Sequence, residues 1–206
     1  MVLLPTADFG DSPASYGEAW HSGAGELRLG QAWDTDTVGA AAGSDDPTDD
    51  GVAMGYDGTL TQMNVEVVVT RTDGGTDGAW LAAWVDWDEN GTFEATELMI
   101  NQAVVVGTNS LSFGVPASAD PSGTRYVARY RLYDSQTEPE AVLAVAATGG
   151  VVGGEVEDYL TPLATPTAVT LDSVQSSATP RTGLVIALLT LGLATLAIAR
   201  RRYHQG

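Results

Sequence analysis

The sequence contains no cysteine and no lysine, and it has only two histidines, His21 and His204. Without cysteine the chain forms no disulfide, no thiolate nucleophile and no cysteine-ligated zinc site. A catalytic triad or a histidine-rich metal centre is hard to build from the one histidine of the main body. The motifs GxSxG, HExxH and GxGxxG are also missing, as is a phosphate-binding loop. These absences predict a protein that is not an enzyme.

Positive charge is scarce as well. Among 206 residues there are 27 acidic and 9 basic side chains, which gives a formal net charge of −18. Nucleic acids are excluded as partners, because binding a phosphate backbone requires a basic surface patch. A strongly acidic surface keeps a protein soluble and attracts cations.

The longest run of apolar residues lies near the C-terminus, where residues 183–199 read GLVIALLTLGLATLAIA. A helix of this length rises about 25 Å, at the short end of what spans a bilayer. A buried core helix is the alternative, but the three arginines that follow it are typical of a segment that stays on the cytoplasmic side. The sequence therefore predicts a transmembrane helix at 183–199, a basic cytoplasmic tail at 200–206 and an extracellular location for everything before the helix.

The residues in front of this helix resemble a cell-wall sorting signal. In Gram-positive surface proteins that signal consists of LPxTG, an apolar span and a short basic tail. Here the corresponding residues are Thr179, Pro180, Arg181, Thr182 and Gly183, with threonine in place of the leucine. The resemblance implies cleavage between Thr182 and Gly183 and a covalent linkage to the cell wall. The alternative is a single-pass anchor that stays in the membrane.

Two further segments bear on export. Residues 164–182 are rich in threonine, serine, alanine and proline, a composition that cannot form a core and is typical of an extended stalk. The opening residues, MVLLPTA, are too short for a signal peptide and lack its basic start. We therefore expect the export signal to lie upstream of residue 1.

Residues 61–163 have the pattern of a β-sheet domain. Runs rich in valine and aromatic residues alternate with glycine-rich turns, and no convincing amphipathic helix precedes residue 183. The predicted strands are 62–71, 79–87, 97–106, 110–115, 124–134 and 155–163. Residues 1–60 are poor in aliphatic runs and rich in Asp and Gly, which favours an acidic, loop-rich segment packed on the domain. The predicted fold class is all-β, an antiparallel β-sandwich with a loop-rich acidic N-terminal segment and a C-terminal transmembrane helix.

The stretch DWDENGTFEATE, residues 86–97, has the spacing of a helix-loop-helix calcium loop. Oxygen-bearing side chains stand at positions 1, 3, 5, 9 and 12 of the loop, a backbone carbonyl is available at position 7, and Gly91 at position 6 permits the turn. The predicted metal ligands are Asp86, Asp88, Asn90, Thr92, Glu94 and Glu97. Because Asp, Asn and Gly also favour ordinary turns, a solvated hairpin turn is the alternative.

Strand-like sequences flank this loop, AWLAAWVDW before it and ELMINQAVVV after it. We expect the loop to close a β-hairpin whose crowded carboxylates repel one another until Ca²⁺ neutralises them. Extracellular calcium modules bind at about 10⁻⁴–10⁻³ M, so this hairpin would be loaded outside a cell and empty inside it. A candidate second cation site consists of Asp45, Asp46, Asp49 and Asp50, with a flexible acidic loop as the alternative.

Five motifs, in order along residues 8–163, give the chain a family resemblance. They are DFGDSPASYG (8–17), SDDPTDDGV (44–52), WVDWDENGTF (84–93), ARYRL (128–132) and GEVED (154–158). Together they resemble the GEVED domain of secreted and surface proteins of bacteria. The resemblance implies an accessory β-rich domain without established catalysis and without a defined ligand. Residues 141–152 are more apolar than the family pattern suggests and are a candidate for an additional strand.

The acids of GEVED and two arginines suggest an ion pair. Strand 124–134 alternates so that one face carries apolar and aromatic side chains and the other carries Arg129 and Arg131. Glu155 and Glu157 lie on another predicted strand. We predict that one of these glutamates pairs with one of the arginines on a neighbouring strand. The alternative leaves both glutamates in solvent.

Two functions from different classes fit these patterns. The first is a non-enzymatic, calcium-binding extracellular module, adhesive or structural, tethered at the cell surface and binding an extracellular ligand that the sequence does not identify. The second is a carbohydrate-binding or accessory module of a secreted hydrolase, whose tryptophans stack on sugar rings. The tryptophans available are Trp20, Trp33, Trp80, Trp84 and Trp87. The first function is favoured, because calcium would occupy the carboxylates that a glycoside hydrolase needs as acid and base.

Overall fold

The computed structural model describes residues 7–33, 48–135 and 145–164, which form eleven strands and two short 3-10 turns. The chain divides into two compact units, Met1–Thr167 and Ala168–Gly206, and every described residue belongs to the first. The strands are β1 (Ala7–Phe9), β2 (Ala19–Ser22), β3 (Leu27–Leu29), β4 (Val52–Tyr56), β5 (Gln62–Arg71), β6 (Ala79–Val85), β7 (Leu98–Val104), β8 (Gly107–Gly114), β9 (Val127–Tyr133), β10 (Gly149–Val152) and β11 (Glu155–Leu160). The 3-10 turns are Ala14–Tyr16 and Ala95–Glu97.

The central sheet has the strand order β11-β9-β6-β7 and is antiparallel throughout. Alternation along β9 places Ala128, Tyr130 and Leu132 on one face and Arg129 and Arg131 on the other, and all five side chains are buried. Strand β6, with the sequence AWLAAWV, is buried along nearly its whole length. Its continuous apolar sequence reflects a sheet that is covered on both faces.

A second sheet is organised around the ten-residue strand β5. Strand β8 pairs with one side of β5, and the short strands β3 and β4 lie end to end along its other side. The alternation of QMNVEVVVTR exposes Gln62, Asn64 and Glu66 and buries Met63 and Val65. The buried face of β5 packs on the central sheet.

The main hydrophobic core lies between these two sheets. It contains side chains from both, among them Leu29, Met63, Val67, Leu81 and Tyr130, each almost fully buried. Burying an aliphatic side chain of this size contributes about 1.5–3 kcal/mol. This core is the sandwich that the sequence predicts.

A third sheet, with the order β1-β2-β10, covers the opposite face of the central sheet. Strand β1 is antiparallel to β2, whereas β10 is parallel to it. A smaller apolar cluster lies beneath this sheet and includes Ala82, Trp84, Tyr133 and Ala147. The described residues thus form three β-layers, and side chains on both faces of the central sheet are buried.

The all-β class with antiparallel sheets is confirmed, and all six predicted strands occur within a few residues of their predicted bounds. The third sheet and its parallel strand pair are not predicted by the sequence patterns. The described part of residues 1–60 contains four short strands, β1 to β4, where the sequence predicts a loop-rich segment. These strands are three to five residues long, too short to show a strand period. An additional strand is present within 141–152, at β10.

The membrane and anchor predictions concern residues that the structure leaves undescribed. The described residues include no helix that could span a bilayer. Apart from Ala164, the predicted stalk lies outside the described residues, as do the sorting motif at 179–183, the helix at 183–199 and the tail at 200–206. These predictions therefore stay predictions.

Candidate metal centre and the buried network beside it

The loop at 86–97 connects β6 to β7 and closes the predicted β-hairpin. The N–H of Asp86 donates to the carbonyl of Val127 at 3.0 Å, so the first predicted ligand stands at the end of the central sheet. The chain returns through the 3-10 turn Ala95–Glu97, where Glu97 Oε2 accepts a hydrogen bond from the N–H of Glu94 at 3.1 Å. The end of the central sheet thus positions Asp86, the first predicted ligand, and the 3-10 turn positions Glu97, the last one.

Three of the predicted ligands converge. One carboxylate oxygen from each of Asp86, Asp88 and Glu97 lies within 4.8 Å of the other two. Asp86 and Glu97 are 1% and 5% exposed, whereas Asp88 is exposed to solvent. Calcium binds oxygen at about 2.3–2.6 Å, so two oxygens on one ion lie within about 5 Å of each other. The separations in this cluster meet that limit.

The other three predicted ligands are bonded among themselves. Asn90 Oδ1 accepts hydrogen bonds from the N–H of Thr92 at 2.9 Å and from its hydroxyl at 2.7 Å. Asn90 Nδ2 donates to Glu94 Oε1 at 2.8 Å, and the Thr92 hydroxyl donates to the same oxygen at 2.6 Å. Glu94 is not part of the three-carboxylate cluster. The structure thus brings together loop positions 1, 3 and 12 and leaves the side chains of positions 5 and 9 bonded to position 7.

The turn between Asp86 and Thr92 depends on two residues with positive φ. Glu89 has φ of 58° and Gly91 has φ of 83°, a region that favours glycine. This backbone directs the N–H groups of Asn90 and Gly91 at Asp86, with bonds of 3.2 Å to Oδ1 and 2.9 Å to Oδ2. The sequence prediction that Gly91 permits the turn is confirmed by this geometry.

The cluster concentrates negative charge. Burial raises the pKa of Glu97 to about 7, and the nearby charge of Asp86 adds to the effect. The ion pairs found among the described residues are Arg71 with Asp73, Arg71 with Asp134, and Arg129 with Asp158, so none of them neutralises this cluster. Carboxylate oxygens at these separations repel one another unless a proton or a cation lies between them.

Tyr16, which sequence analysis did not identify, belongs to this centre. Its hydroxyl donates to Asp86 Oδ2 at 2.6 Å, and its ring packs against Phe93 with centroids 4.7 Å apart. Burial, together with the charge of Asp86, raises the pKa of Tyr16 and keeps the hydroxyl a donor. The sequence feature that could have identified Tyr16 is the SYG at the end of the motif DFGDSPASYG. In the fold, this N-terminal segment contacts the loop at 86–97.

A buried ion pair lies next to this contact. Arg129 donates from Nε to Asp158 Oδ1 and from Nη2 to Asp158 Oδ2, each at 2.8 Å, and the two side chains are 0% and 2% exposed. Asp158 Oδ2 also accepts a hydrogen bond from the N–H of Ser12 at 2.7 Å. A Cβ at Gly10 would lie 2.6 Å from the same carboxylate oxygen. The absence of a side chain at Gly10 therefore allows the DFGD segment to pack directly against this ion pair.

Arg131 lies two residues after Arg129 on β9, on the same face of the sheet. In the described structure its guanidinium binds backbone carbonyls and a histidine instead of a carboxylate. Its guanidinium donates to the carbonyls of Ala146, Thr148 and Gly149 and, from Nε, to His21 Nε2 at 3.1 Å. The other ring nitrogen of His21 lies 2.8 Å from the carbonyl of Gly153, so Nδ1 carries the proton. Burial lowers the pKa of His21 to about 3 and keeps the ring neutral. The two arginines thus hold the third sheet on the central one.

The predicted pairing of Glu155 or Glu157 with an arginine is wrong, and so is the alternative that leaves both in solvent. The antiparallel register sets Glu155 opposite Leu132 and Glu157 opposite Tyr130, on the core face, and sets Asp158 opposite Arg129. Both glutamates are nearly fully buried. The acid of GEVED that pairs with an arginine is therefore the last one.

The two glutamates instead bind backbone of the opposite sheet. Glu155 Oε2 accepts a hydrogen bond from the N–H of Leu29, and Glu157 Oε1 accepts from the N–H groups of Asp50 and Gly51 at 3.1 and 3.0 Å. The hydroxyl of Tyr159 accepts from the N–H of Val52 at 3.1 Å. Successive inward side chains of β11 thus close the edge of the second sheet, where β3 ends and β4 begins.

The second cation site predicted at Asp45, Asp46, Asp49 and Asp50 is only partly described, since Asp45 and Asp46 lie outside the described residues. Asp50 Oδ1 accepts hydrogen bonds from the N–H groups of Gln31 and Ala32 at 2.8 and 3.2 Å. A Cβ at Gly30 would lie 1.8 Å from this oxygen. The described part of this segment therefore closes the turn after β3, and the cation site stays a prediction.

Comparison with known families finds a match that contains this centre. Residues 80–162 match the family model of the GEVED domain. The matched range contains the loop at 86–97, both buried arginines and the GEVED strand β11, and it begins after the DFGD and SYG segments that pack on them. Comparisons with curated proteins and with solved structures found no match.

Proposed function

We propose that this protein, with its GEVED domain at 80–162, is a non-enzymatic extracellular module that Ca²⁺ stabilises and that a C-terminal anchor tethers at the cell surface. The observation that carries the calcium part is the convergence of Asp86, Asp88 and Glu97 within a loop of calcium-binding spacing. The family match is consistent with an extracellular module, and the adhesive or structural use is part of the proposal. The apolar segment 183–199 and the arginines after it support the anchor, retained in the membrane or linked to the cell wall.

The donor set favours calcium over other cations. Hard carboxylate oxygens suit Ca²⁺ and Mg²⁺, whereas zinc and copper sites usually include histidine or cysteine. Two of the three carboxylates are buried and come from a loop of twelve residues, with further backbone and side-chain oxygens nearby. A loop with this many oxygen donors suits the larger ion, because Mg²⁺ demands an octahedral arrangement at about 2.0–2.1 Å and retains several waters.

Calcium is expected to raise the melting temperature of the full chain. With about 10 mM Ca²⁺ and an affinity of about 10⁻⁴–10⁻³ M, the stabilisation amounts to about 1.4–2.7 kcal/mol. For a chain of this size that corresponds to about 3–10 °C. Differential scanning calorimetry with calcium and with excess chelator measures the shift, and coincident melting curves contradict the proposal.

Asp88→Asn and Glu89→Gln form a matched pair of variants for this experiment. Both side chains are exposed in the same loop, and both substitutions remove one negative charge. Only Asp88 belongs to the converging cluster. We expect Asp88→Asn to lose most of the calcium-dependent shift and Glu89→Gln to keep it. Equal loss in both variants would mean that calcium acts on the general charge of the surface.

Tyr16→Phe tests whether the N-terminal segment positions a calcium ligand. The variant keeps the ring against Phe93 and removes the hydroxyl that donates to Asp86 Oδ2. Loss of such an outer partner of a metal ligand weakens affinity by about 10–100-fold. Isothermal titration with calcium measures the change, and Tyr133→Phe, which removes a hydroxyl bonded to the carbonyl of Ala146, is the control. An unchanged affinity in Tyr16→Phe would assign Tyr16 a packing role only.

The surface location is tested on cells that express the full chain. Protease added outside intact cells should remove the module while a cytoplasmic marker protein stays whole. Protection of the module until the cells are lysed would contradict the extracellular proposal. The result does not depend on whether the anchor is cleaved at Thr182.

The alternative function, a carbohydrate-binding accessory module, receives less support from the tryptophans. Trp84 and Trp87 are 3% and 7% exposed and belong to the apolar clusters. The ring of Trp87 packs against Tyr126 with centroids 4.9 Å apart. Rings buried in this way have no free face on which a sugar can stack. A glycan array that gave one strong sugar class would nevertheless reverse this order of preference.

A further inference from the structure

An uncharged region of 22 residues interrupts the acidic sequence. Residues 98–119 contain no Asp, Glu, Lys or Arg, in a chain whose net charge is −18. The region carries β7 and β8, which lie at the outer edges of the central and second sheets. Two edge strands of the described structure are therefore free of ionisable side chains.

The backbone of β8 presents half of its hydrogen-bonding groups away from its neighbour. Within the described residues, β8 pairs with β5 and with no other strand. Just beyond the strand, the N–H of Val115 donates to the carbonyl of Thr61. Because hydrogen-bonded residues alternate along an antiparallel strand, the odd-numbered residues of β8 bond to β5. The N–H and C=O groups of Thr108, Ser110 and Ser112 therefore point away from β5. The side chains of these three residues are exposed as well.

In the described part of the chain, this edge has none of the sequence features that commonly prevent pairing. Natural sheet edges are blocked by charged side chains, proline, bulges or very short strands. Strand β8 is eight residues long, has no charged residue and no proline, and pairs with β5 in unbroken register. The opposite edge of the same sheet is closed by Glu155, Glu157 and Tyr159. Within the described residues, side chains of β11 thus cap the junction of β3 and β4 on one side of the sheet, and no strand pairs with the outer side of β8.

We infer that β8 pairs with β8 of a second copy of this chain, antiparallel and about a two-fold axis, so that the two β5-centred sheets become one continuous sheet. The charge distribution selects the second copy as occupant. Two molecules that each carry −18 repel one another where acidic surfaces meet, and pairing of β8 with itself brings together two uncharged strands. A two-fold contact also satisfies both edges with the same surface. The small hydroxyl side chains of this strand allow close backbone approach.

Single cysteines test this contact, because the chain has none of its own. Paired antiparallel strands bring opposite Cα atoms to about 4.5–5.5 Å, within the range that a disulfide bridges. In the full chain, Thr108→Cys, Ser110→Cys and Ser112→Cys are made one at a time and oxidised under mild conditions. We expect at least one of them to form a covalent dimer about tenfold faster or more than Gln62→Cys. Gln62 is exposed on β5, in the same sheet but not at its edge.

The cysteine positions separate edge pairing from other association. A dimer held by another part of the chain gives equal, slow cross-linking at the three β8 positions and at Gln62, and that result overturns the inference. Proline at a second of the three β8 positions removes an outward N–H and none of the bonds to β5, so it should abolish the fast cross-link. Fast cross-linking that survives this proline also contradicts strand pairing.

Discussion

Asp158→Asn is expected to lower the free energy of unfolding by about 3–5 kcal/mol, the usual cost of removing one partner from a buried ion pair. Arg129 is 0% exposed and donates two hydrogen bonds to Asp158, so the variant leaves a buried guanidinium without its counter-charge. The amide is nearly the same size as the carboxylate, but its nitrogen cannot accept the bonds from Arg129 Nη2 or from the N–H of Ser12 that now reach Oδ2. Chemical denaturation at neutral pH measures the change.

Asp73→Asn is the matched control for this prediction. Asp73 also pairs with an arginine, Arg71, at 2.8 Å, but its side chain is 32% exposed. Exposed pairs contribute little to stability, so this variant should unfold at nearly the same denaturant concentration as the wild type. Because Asp158 also anchors the DFGD segment, limited proteolysis should cut Asp158→Asn between β1 and β2 before it cuts the wild type. A loss below about 1 kcal/mol in Asp158→Asn would mean that Arg129 finds other partners.

The regular alternation of side chains along a strand allows part of this network to be predicted from the sequence. The period of β9 is regular enough to separate Arg129 and Arg131 from Tyr130 and its neighbours, and the structure has that separation. The sequence also predicts that GEVED forms a strand beside β9. It does not give the register between the two strands, and a shift of one residue exchanges the faces. The register in the structure places Asp158, and not the glutamates, opposite Arg129.

The N-terminal segment shows a second limit. Strands β1 and β3 have three residues each, so neither offers a period to detect. Their positions depend on contacts with residues more than one hundred positions away, such as the N–H of Val156 with Asp8 of β1 and the N–H of Leu29 of β3 with Glu155. The loop at 86–97 is different, since its ligand spacing, its glycine and its hairpin are all local. Local sequence therefore predicts the hairpin and its glycine turn, whereas it does not predict the distant residues that contact them.

The same long-range contacts explain why the GEVED strand carries acids on a core face. Sheet edges expose N–H groups that need acceptors, and the junction between β3 and β4 leaves several such groups facing β11. Glu155, Glu157 and Tyr159 supply the acceptor oxygens from inside the sandwich. This arrangement closes the edge, but it places two carboxyl groups where water is excluded. Burial raises the pKa of Glu157 to about 8 and that of Glu155 to about 11.

These raised pKa values predict that the fold is more stable at mildly acidic pH than at alkaline pH. The folded state holds the proton of Glu157 up to about pH 8, whereas the unfolded chain releases it near its ordinary value of 4.5. The stabilisation is therefore complete below about pH 4.5 and is lost as the pH rises through about 8. At about 1.36 kcal/mol per pH unit, the loss from Glu157 amounts to roughly 4–5 kcal/mol. Denaturant unfolding between pH 5 and pH 9, with chelator present, measures it.

Glu157→Gln isolates this effect from the other titrating groups. The glutamine oxygen can accept from the N–H groups of Asp50 and Gly51, and its amide can face the hydroxyl of Tyr159, so the edge stays closed. Between pH 5 and pH 9, the free energy of unfolding of the variant should not show the decrease that ionisation of Glu157 causes in the wild type. At pH 9 the variant should therefore be more stable than the wild type. Glu66→Gln, on the exposed face of β5, should follow the wild-type curve. If Glu157→Gln follows it too, the carboxyl is ionised inside the fold, and its hydrogen bonds to the edge outweigh the cost of burial.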